Sequence, residues 1–385
     1  MAKTNDYDFA SIMADISKDY KTNFETQYLD SGSVIMNMAF GGGFPLGKNI
    51  EIYSESGYGK STIVLSMCKK LCQQGHKVLY IDAEGSIDKL IESMKIHTDD
   101  ETDLLWSPDK PDNPFVVLQT CYFEDIEKAL ERMIPNYDSN GHPLDSNFRL
   151  IVIDSVAALC PKEYRGDTGE KESLSIASNK PGVMAKLMTA FIRKFNGYKT
   201  MYNCSFLYIN QMRDNLGLSY ADKYKDMTPG GKALYYFCDI ILKLNSRSLH
   251  KEKKETGFGE VQEVTTEREV NVVAVKNKLT NGGIGLPLQV RFGIGISNIA
   301  AMPYLLPKKY IINDKGEEIP MLQAQGAWFT LSYNVTDGDN PGFRSQRLNG
   351  KPQLQQAIRD NYKYIYSVIT QDDFKLLVEE PVDDE

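Results

Sequence analysis

Ile50-Glu51-Ile52-Tyr53-Ser54-Glu55-Ser56-Gly57-Tyr58-Gly59-Lys60-Ser61-Thr62 runs from a short apolar strand, Ile50 to Tyr53, through a glycine-rich turn into a segment of helical periodicity. In that segment Val64, Met67, Cys68, Leu71 and Cys72 recur at helical spacing, and Gly75 supplies a C-terminal stop. Strand, turn and helix in this order are the context a phosphate-binding loop requires. Backbone N–H groups around Gly57, Gly59 and Lys60 can surround phosphates, and the helix N-terminus adds a favourable dipole. The pattern predicts ATP bound by Ser54 to Thr62. The Lys60 ammonium would reach the β- and γ-phosphates, and the Ser61 hydroxyl would ligate Mg2+. Ser54 stands where the G-x-x-x-x-G-K-S/T pattern has its first glycine.

Outward from this loop lie three more apolar runs. Val78 to Ile81 ends in Asp82, Leu150 to Ile153 ends in Asp154, and Phe206 to Ile209 ends in Asn210 and Gln211. Runs that are apolar throughout, rather than alternating, suit strands covered on both faces. Their polar ends fall where open α/β sheets place ligands. Asp154 fits the acid that holds Mg2+ through water. Glu84, just past the second strand, can orient or deprotonate an attacking water. Either acid alone could be a loop charge or a helix cap, but beside the loop they point to ATPase chemistry. Ile240 to Leu244, Val270 to Val275 and Leu288 to Phe292 follow without long helices, so the sheet is expected to finish antiparallel. The fold class is α/β, a P-loop NTPase core with a mostly parallel sheet.

The chain has 385 residues, room for one large core and a small extra domain. Residues 1 to about 30 read as a short helix and linker, with Phe9, Ile12, Met13 and Ile16 as apolar positions. The core is expected over 31–300. A link with Pro303 and Pro307 then leads to a small α+β region over 301–378, with Trp328 and a helix around Leu354 to Ile365. Five acids crowd residues 379–385 and form an acidic tail.

No apolar run approaches the ~18 residues that span a membrane. The N-terminus has no apolar signal region, so a cytoplasmic location is expected. The six cysteines form no C-x-x-C pair and read as small hydrophobes in a reducing compartment. A net charge of −8 argues against a general nucleic-acid coat, but the local field in a groove decides DNA binding.

The order of these blocks resembles the bacterial and phage RecA family. The likeness starts near Ser31-Gly-Ser and runs through Gly41-Gly-Gly-Phe-Pro-Leu-Gly47 to Tyr53. It includes Ile81-Asp-Ala-Glu84, Ile153-Asp-Ser-Val-Ala-Ala-Leu-Cys-Pro-Lys162, Ile209-Asn-Gln-Met-Arg213, Thr228-Pro-Gly-Gly-Lys-Ala-Leu234 and Val275-Lys-Asn-Lys278. It covers roughly residues 31 to 296, with an echo at Gly326-Ala-Trp-Phe. It implies an ATP-dependent recombinase that forms head-to-tail helical filaments on single-stranded DNA and exchanges strands with a homologous duplex. The N-terminal segment would serve oligomerisation.

By the same resemblance Glu84 is the catalytic carboxylate, Gln211 the γ-phosphate sensor, and Asp88 an ATP-binding residue. Lys276 and Lys278 would reach the ATP of a neighbouring subunit. Glu163 to Pro181 and Met212 to Thr228 are similar to the family's two DNA-binding loops. Arg165, Lys186, Arg193, Met212, Arg213, Asn215, Gly217, Gly230 and Gly231 are the implied DNA-binding residues.

The chain departs from the family in places. Ile91 occupies the position of an adenine-stacking tyrosine. The first DNA loop is longer by several residues. Asn271 and Val273 stand where the family's secondary DNA site has basic residues. Arg247, Lys251, Lys253 and Lys254 could substitute from an adjacent loop, or could be a solvated hairpin tip. Two rivals share the core, a ring-forming helicase and a non-catalytic filament regulator. The Lys-Asn-Lys and Asn-Gln-Met-Arg blocks favour the recombinase, and intact Lys60, Glu84 and Asp154 argue against the regulator.

Overall fold

The apolar runs on either side of the glycine-rich turn become neighbouring strands. The computed structural model describes residues 25–98, 102–165, 182–212, 229–230, 232–255, 261–280, 285–336 and 340–370. Two short strands, β1 (Tyr28–Leu29) and β2 (Phe44–Pro45), pair across helix α1 (Val34–Phe40). The phosphate-loop strand is β3 (Asn49–Ser54), and its helix is α2 (Lys60–Gln73). Then come β4 (Lys77–Asp82), α3 (Asp88–Ser93), β5 (Phe115–Gln119), α4 (Phe123–Met133), β6 (Phe148–Asp154), α5 (Val183–Tyr202), β7 (Ser205–Gln211) and α6 (Lys232–Phe237). The antiparallel part is β8 (Ile240–Glu255), β9 (Val261–Asn277), β10 (Gly285–Arg291) and β11 (Gly295–Ser297).

Nine strands form one sheet in the order β11-β10-β9-β8-β3-β7-β6-β4-β5. From β8 to β5 every pairing is parallel, and from β8 to β11 every pairing is antiparallel. The mostly parallel sheet with an antiparallel finish is therefore as expected. Alternate residues serve opposite faces. Ile50, Ile52, Val78, Tyr80, Leu150 and Val152 join α1 and α2 in one apolar cluster, while Leu79, Ile81, Ile151, Ile153, Phe206 and Tyr208 join α4 and α5 in another. Each such buried side chain contributes about 1.5–3 kcal/mol relative to exposure. This two-sided burial explains the unbroken apolar runs.

The structure adds one strand to the sequence reading and corrects four local points. β5 was not read, although Phe115-Val-Val-Leu forms the parallel edge beside β4. β8 and β9 are much longer than the apolar runs, because cross-strand backbone pairing carries them out to Glu255 and Val261. Arg247, Lys251, Lys253 and Lys254 thus lie on a strand rather than a loop, with Lys253 opposite Glu263. The Pro303–Pro307 link is helical: α7 (Met302–Leu305) and a 3-10 turn, Leu306–Lys308, each carry a proline at the start, where a missing N–H costs nothing. The expected helix around Leu354 to Ile365 is two helices, α8 (Gly350–Asp360) and α9 (Tyr362–Thr370). They part at Asn361, whose side-chain amide and backbone N–H both bond the Ala357 carbonyl.

The region beyond residue 301 adds a hairpin, β12 (Tyr310–Ile312) with β13 (Glu318–Pro320), and a sheet of β14 (Leu322–Gln325), β15 (Trp328–Val335) and β16 (Gly342–Asn349). Met302, Leu305, Leu331, Leu354 and Ile358 belong to the same apolar cluster as Ile50 and Ile52. Asn298 joins three segments: it accepts the Val34 N–H and donates to the Gly32 carbonyl and the Tyr362 hydroxyl. Among the described residues no helix is long and apolar enough to cross a membrane.

Candidate phosphate and metal site

The turn after β3 works through its glycines. Gly59 has φ +82°, and a Cβ there would lie 3.0 Å from Val290 Cγ1. Both the backbone and the approach of β10 therefore require glycine. Lys60, 7% exposed, turns its ammonium back into the turn and donates to the carbonyls of Ser54 (3.2 Å) and Glu55 (2.8 Å). It also donates to the Ser54 hydroxyl at 3.2 Å, so the departure from glycine at position 54 gives the lysine a third acceptor. Burial lowers the Lys60 pKa, and the nearby Asp154 and Glu84 carboxylates oppose that. Glu55, Ser56 and Gly57 are exposed, whereas Thr62 is buried. The Tyr58 hydroxyl donates to Glu55, and the Arg268 guanidinium lies 4.7 Å from the Tyr58 ring centroid.

The strand ends converge because the register places them side by side. Ser54 pairs with Gln211, and Asp82 pairs with Asp154. Met212 N–H bonds the Ser54 carbonyl, which ties the end of β7 to the turn. The Asp154 carboxyl is buried and accepts the Tyr80 hydroxyl at 2.5 Å. Burial pushes it up to about 6; hydrogen bonds from Tyr80 and Ser61 pull down, and the Glu84 and Asp82 carboxylates push up. Glu84 Oε1 accepts from Ser155 Oγ at 2.5 Å and from Gln211 Nε2 at 3.2 Å. Asp82, beside Asp154 in the register, also accepts the Gly85, Ser86 and Ile87 amides ahead of α3. Among the described residues no three acidic, histidine or cysteine side chains form a cation site by themselves, but the Ser61 hydroxyl and the Asp154 carboxylate are neighbouring hard oxygen donors. That donor set suits a divalent cation such as Mg2+.

Sequence reasoning missed Tyr80 and Ser155. Ser155 stood next to a quoted acid, but Tyr80 was hidden inside an apolar run. Asp88 is exposed and accepts the Gln119 amide at 3.2 Å. Ile91 is 5% exposed within the core beside Ile87 and Met94, so it anchors α3 and offers no stacking surface.

The remaining candidates lie apart from this cluster. Lys276 donates to the Tyr235 carbonyl at 2.5 Å, and Lys278 meets Asp239 Oδ1 at 3.0 Å. Both lysines, at and just past the end of β9, thus rest on the segment Tyr235 to Asp239. Lys199 takes the other oxygen of Asp239 at 2.7 Å. Burial alone would raise Asp239, but the bonds from Lys199, the Asn49 amide and Lys278 hold it below the usual carboxylate range. Tyr235 and Tyr236, 58% and 64% exposed, flank Lys276 and were not singled out from sequence.

Lys186 and Arg193 are exposed on α5, two turns apart. Gly230 sits with φ +91° against Val156 and Met188, which leaves little room for a side chain. Arg165 ends a 3-10 turn, Lys162–Arg165. Arg213, Asn215, Gly217 and Gly231, most of both implied DNA loops, most of the N-terminal segment and the acidic tail lie outside the described residues. Arg247 is paired with Glu269 at 2.7 Å.

A glycine-rich turn joining β3 to α2, at the polar end of a parallel sheet and beside two strand-end acids, defines a P-loop nucleoside-triphosphatase core. The RecA N-terminal domain family matches residues 4–125 and 136–297, and the chain belongs to the RecA family of recombinases. It is similar to Protein RecA of Thermosynechococcus vestitus, at 28% identity over 89% of this chain and 83% of that one. It is also similar to Protein RecA of Bacteroides thetaiotaomicron, at 29% identity over 87% and 86%. A crystal structure of the RadB recombinase has a TM-score of 0.45 at 20% identity, over 70% of this chain and 98% of that one, a likeness too distant to add to the assignment.

Proposed function

We propose that this chain hydrolyses ATP, assembles head-to-tail into helical filaments on single-stranded DNA, and pairs that strand with a homologous duplex. The observation that carries this reading is the bridge at Glu84. One carboxylate is held by Ser155 and Gln211, and Gln211 is in register with Ser54 of the phosphate loop. Gln211 leads directly into the second implied DNA loop, so a group that senses phosphate is covalently continuous with a group that meets DNA. An order–disorder coupling of ATP to DNA needs this kind of continuity.

In this reading Lys60 neutralises the β- and γ-phosphates, while Ser61 and Asp154 hold Mg2+. Bound there, Mg2+ would offset charge on the transferred phosphoryl group. Glu84 orients the attacking water and accepts its proton, and Gln211 reports the γ-phosphate. Lys186, Arg193 and Arg213 hold DNA phosphates, which carry no base information. Lys276 and Lys278 reach the nucleotide of the next subunit, and the exposed Tyr235 and Tyr236 beside them supply apolar area for that contact. Such a heterologous contact gives an open filament when the rotation does not close. Residues 1–30 would serve oligomerisation, 31–300 the ATPase core, 301–378 a small accessory domain and 379–385 an acidic tail.

The deciding experiment measures phosphate release with and without oligo-dT, then images the same sample by electron microscopy. DNA-stimulated hydrolysis with filaments is expected. Rings would favour a helicase, and no hydrolysis a regulator; either would overturn the proposal.

A further inference from the structure

Tyr80 is the residue in the phosphate site that no motif calls for. It lies mid-strand in β4, is 0% exposed, and packs its ring against Phe115 at a centroid distance of 6.0 Å. Phenylalanine would keep nearly all of that packing, so the hydroxyl is not explained by filling the core. A buried phenol without a partner costs about 1–3 kcal/mol. Here the partner is Asp154 Oδ2, at 2.5 Å. The register explains the contact: Asp82 of β4 faces Asp154 of β6, and Tyr80 lies two residues earlier on the same face. Ser61, at the start of α2, is near enough to the same carboxyl to pull its pKa down. The carboxylate is therefore held between a strand and the phosphate loop.

We propose that Tyr80 is a positioning residue for the metal site, fixing one oxygen of Asp154 so that the other keeps a single orientation toward Ser61 and the divalent cation. This rests on the reading that Asp154 and Ser61 hold Mg2+. A carboxylate that accepts one buried hydrogen bond through Oδ2 loses the freedom to turn that oxygen toward Lys60 or to engage the cation with both oxygens. Outer partners of this kind commonly set metal affinity without touching the metal. Tyr80 touches neither nucleotide nor metal, so its effect should appear in the Mg2+ requirement and not in metal-free nucleotide binding.

The test compares Tyr80→Phe and Asp154→Asn with the parent in the full chain. Phosphate release is titrated against free Mg2+, and a fluorescent ADP analogue is bound with and without EDTA. For Tyr80→Phe the Mg2+ midpoint should rise roughly tenfold, with analogue affinity in EDTA unchanged. A merely structural defect would instead lower the rate at every Mg2+ concentration and leave the midpoint in place; that result would overturn the proposal. If Asp154→Asn keeps the parent Mg2+ response, the metal reading itself fails, and the Tyr80 proposal with it. If Asp154→Asn loses the response while Tyr80→Phe matches the parent, only the Tyr80 proposal fails. Should Tyr80→Phe not fold, fluorotyrosine at position 80 keeps the shape and alters only the donor; an unchanged Mg2+ midpoint there would also reject the idea.

Discussion

The phosphate loop and the lysine pair at the end of β9 are both basic sites, but they keep their charges differently. Lys60 is 7% exposed and bonded to three oxygens of its own turn. Lys278 is 51% exposed and rests on Asp239, and Lys276 rests on a backbone carbonyl of α6. An exposed ion pair contributes only about 0–1 kcal/mol, so moving Lys278 to another anion costs little. The partners of the first cation are complete within one chain. The second holds its cations on replaceable partners, as expected of groups that act across an interface.

The largest test of that contrast is Lys60→Ala. Loss of the buried cation should cut ATP turnover by at least about 10²–10³-fold, read as phosphate release with oligo-dT. Parent-like turnover would sink the phosphate-loop assignment. Next is Lys276→Ala with Lys278→Ala. DNA-stimulated hydrolysis should disappear and filaments shorten, while single-chain nucleotide binding stays within about twofold, because an interface coupling of ~1–3 kcal/mol is absent from the free chain. Mixing this variant with Lys60→Ala should restore some hydrolysis at mixed junctions. If no mixing ratio exceeds the sum of the two variants, the lysines do not act on a neighbour.

A third test concerns the cost of the complete site. Asp154 has a folded pKa of about 6 against an ordinary 3.8. The folded chain binds that proton more tightly than the unfolded chain. Its contribution to stability is therefore fully present below about pH 4 and is lost as pH rises through about 6. At pH 7.5, without nucleotide or Mg2+, Asp154→Asn should raise Tm by a few degrees, about 1–3 kcal/mol, while abolishing the Mg2+ response. A lower Tm across pH 4–8 would contradict the buried-anion account. The smallest effect is expected for Ser54→Gly, which restores the usual motif glycine but removes one of three acceptors for Lys60. The KM for ATP should move by no more than about tenfold, since a single net hydrogen bond is worth ~0.5–1.5 kcal/mol; a change of roughly a hundredfold would make Ser54 central to the loop.

The same contrast separates what was legible in the sequence. The parallel strands were readable because burial on both faces leaves an unbroken apolar run. β5 was not, since Val116, Val117 and Leu118 are only partly buried and the strand is an edge. Its neighbour α4 did carry a signal, with Phe123, Ile126 and Leu130 at helical spacing. Lys60, Ser61, Asp154 and Glu84 stood at strand ends or in a motif and could be named. Tyr80 could not, because a buried tyrosine in an apolar run looks like core until its hydroxyl partner is seen. Beyond Leu244, β8 lost its apolar signal and continued on backbone pairing and polar cross-strand contacts such as Arg247 with Glu269, which an apolar pattern does not record.

The position of β3 at the middle of the sheet has a consequence for how the chain is made. Its neighbours are β7 and β8, so it meets no partner strand from its own vicinity. A contact between its root and its partner strand β7, from the Lys48 amide to the Ser205 hydroxyl, spans 157 residues. On a ribosome adding about 5–20 residues per second, that interval is roughly 8–30 s. Through it the strand that ends in the phosphate loop lacks both sheet neighbours, with only the flanking α1 and α2 to pack on Ile50 and Ile52. Over that time the unpaired edges of the strand that carries the phosphate loop are open to wrong partners.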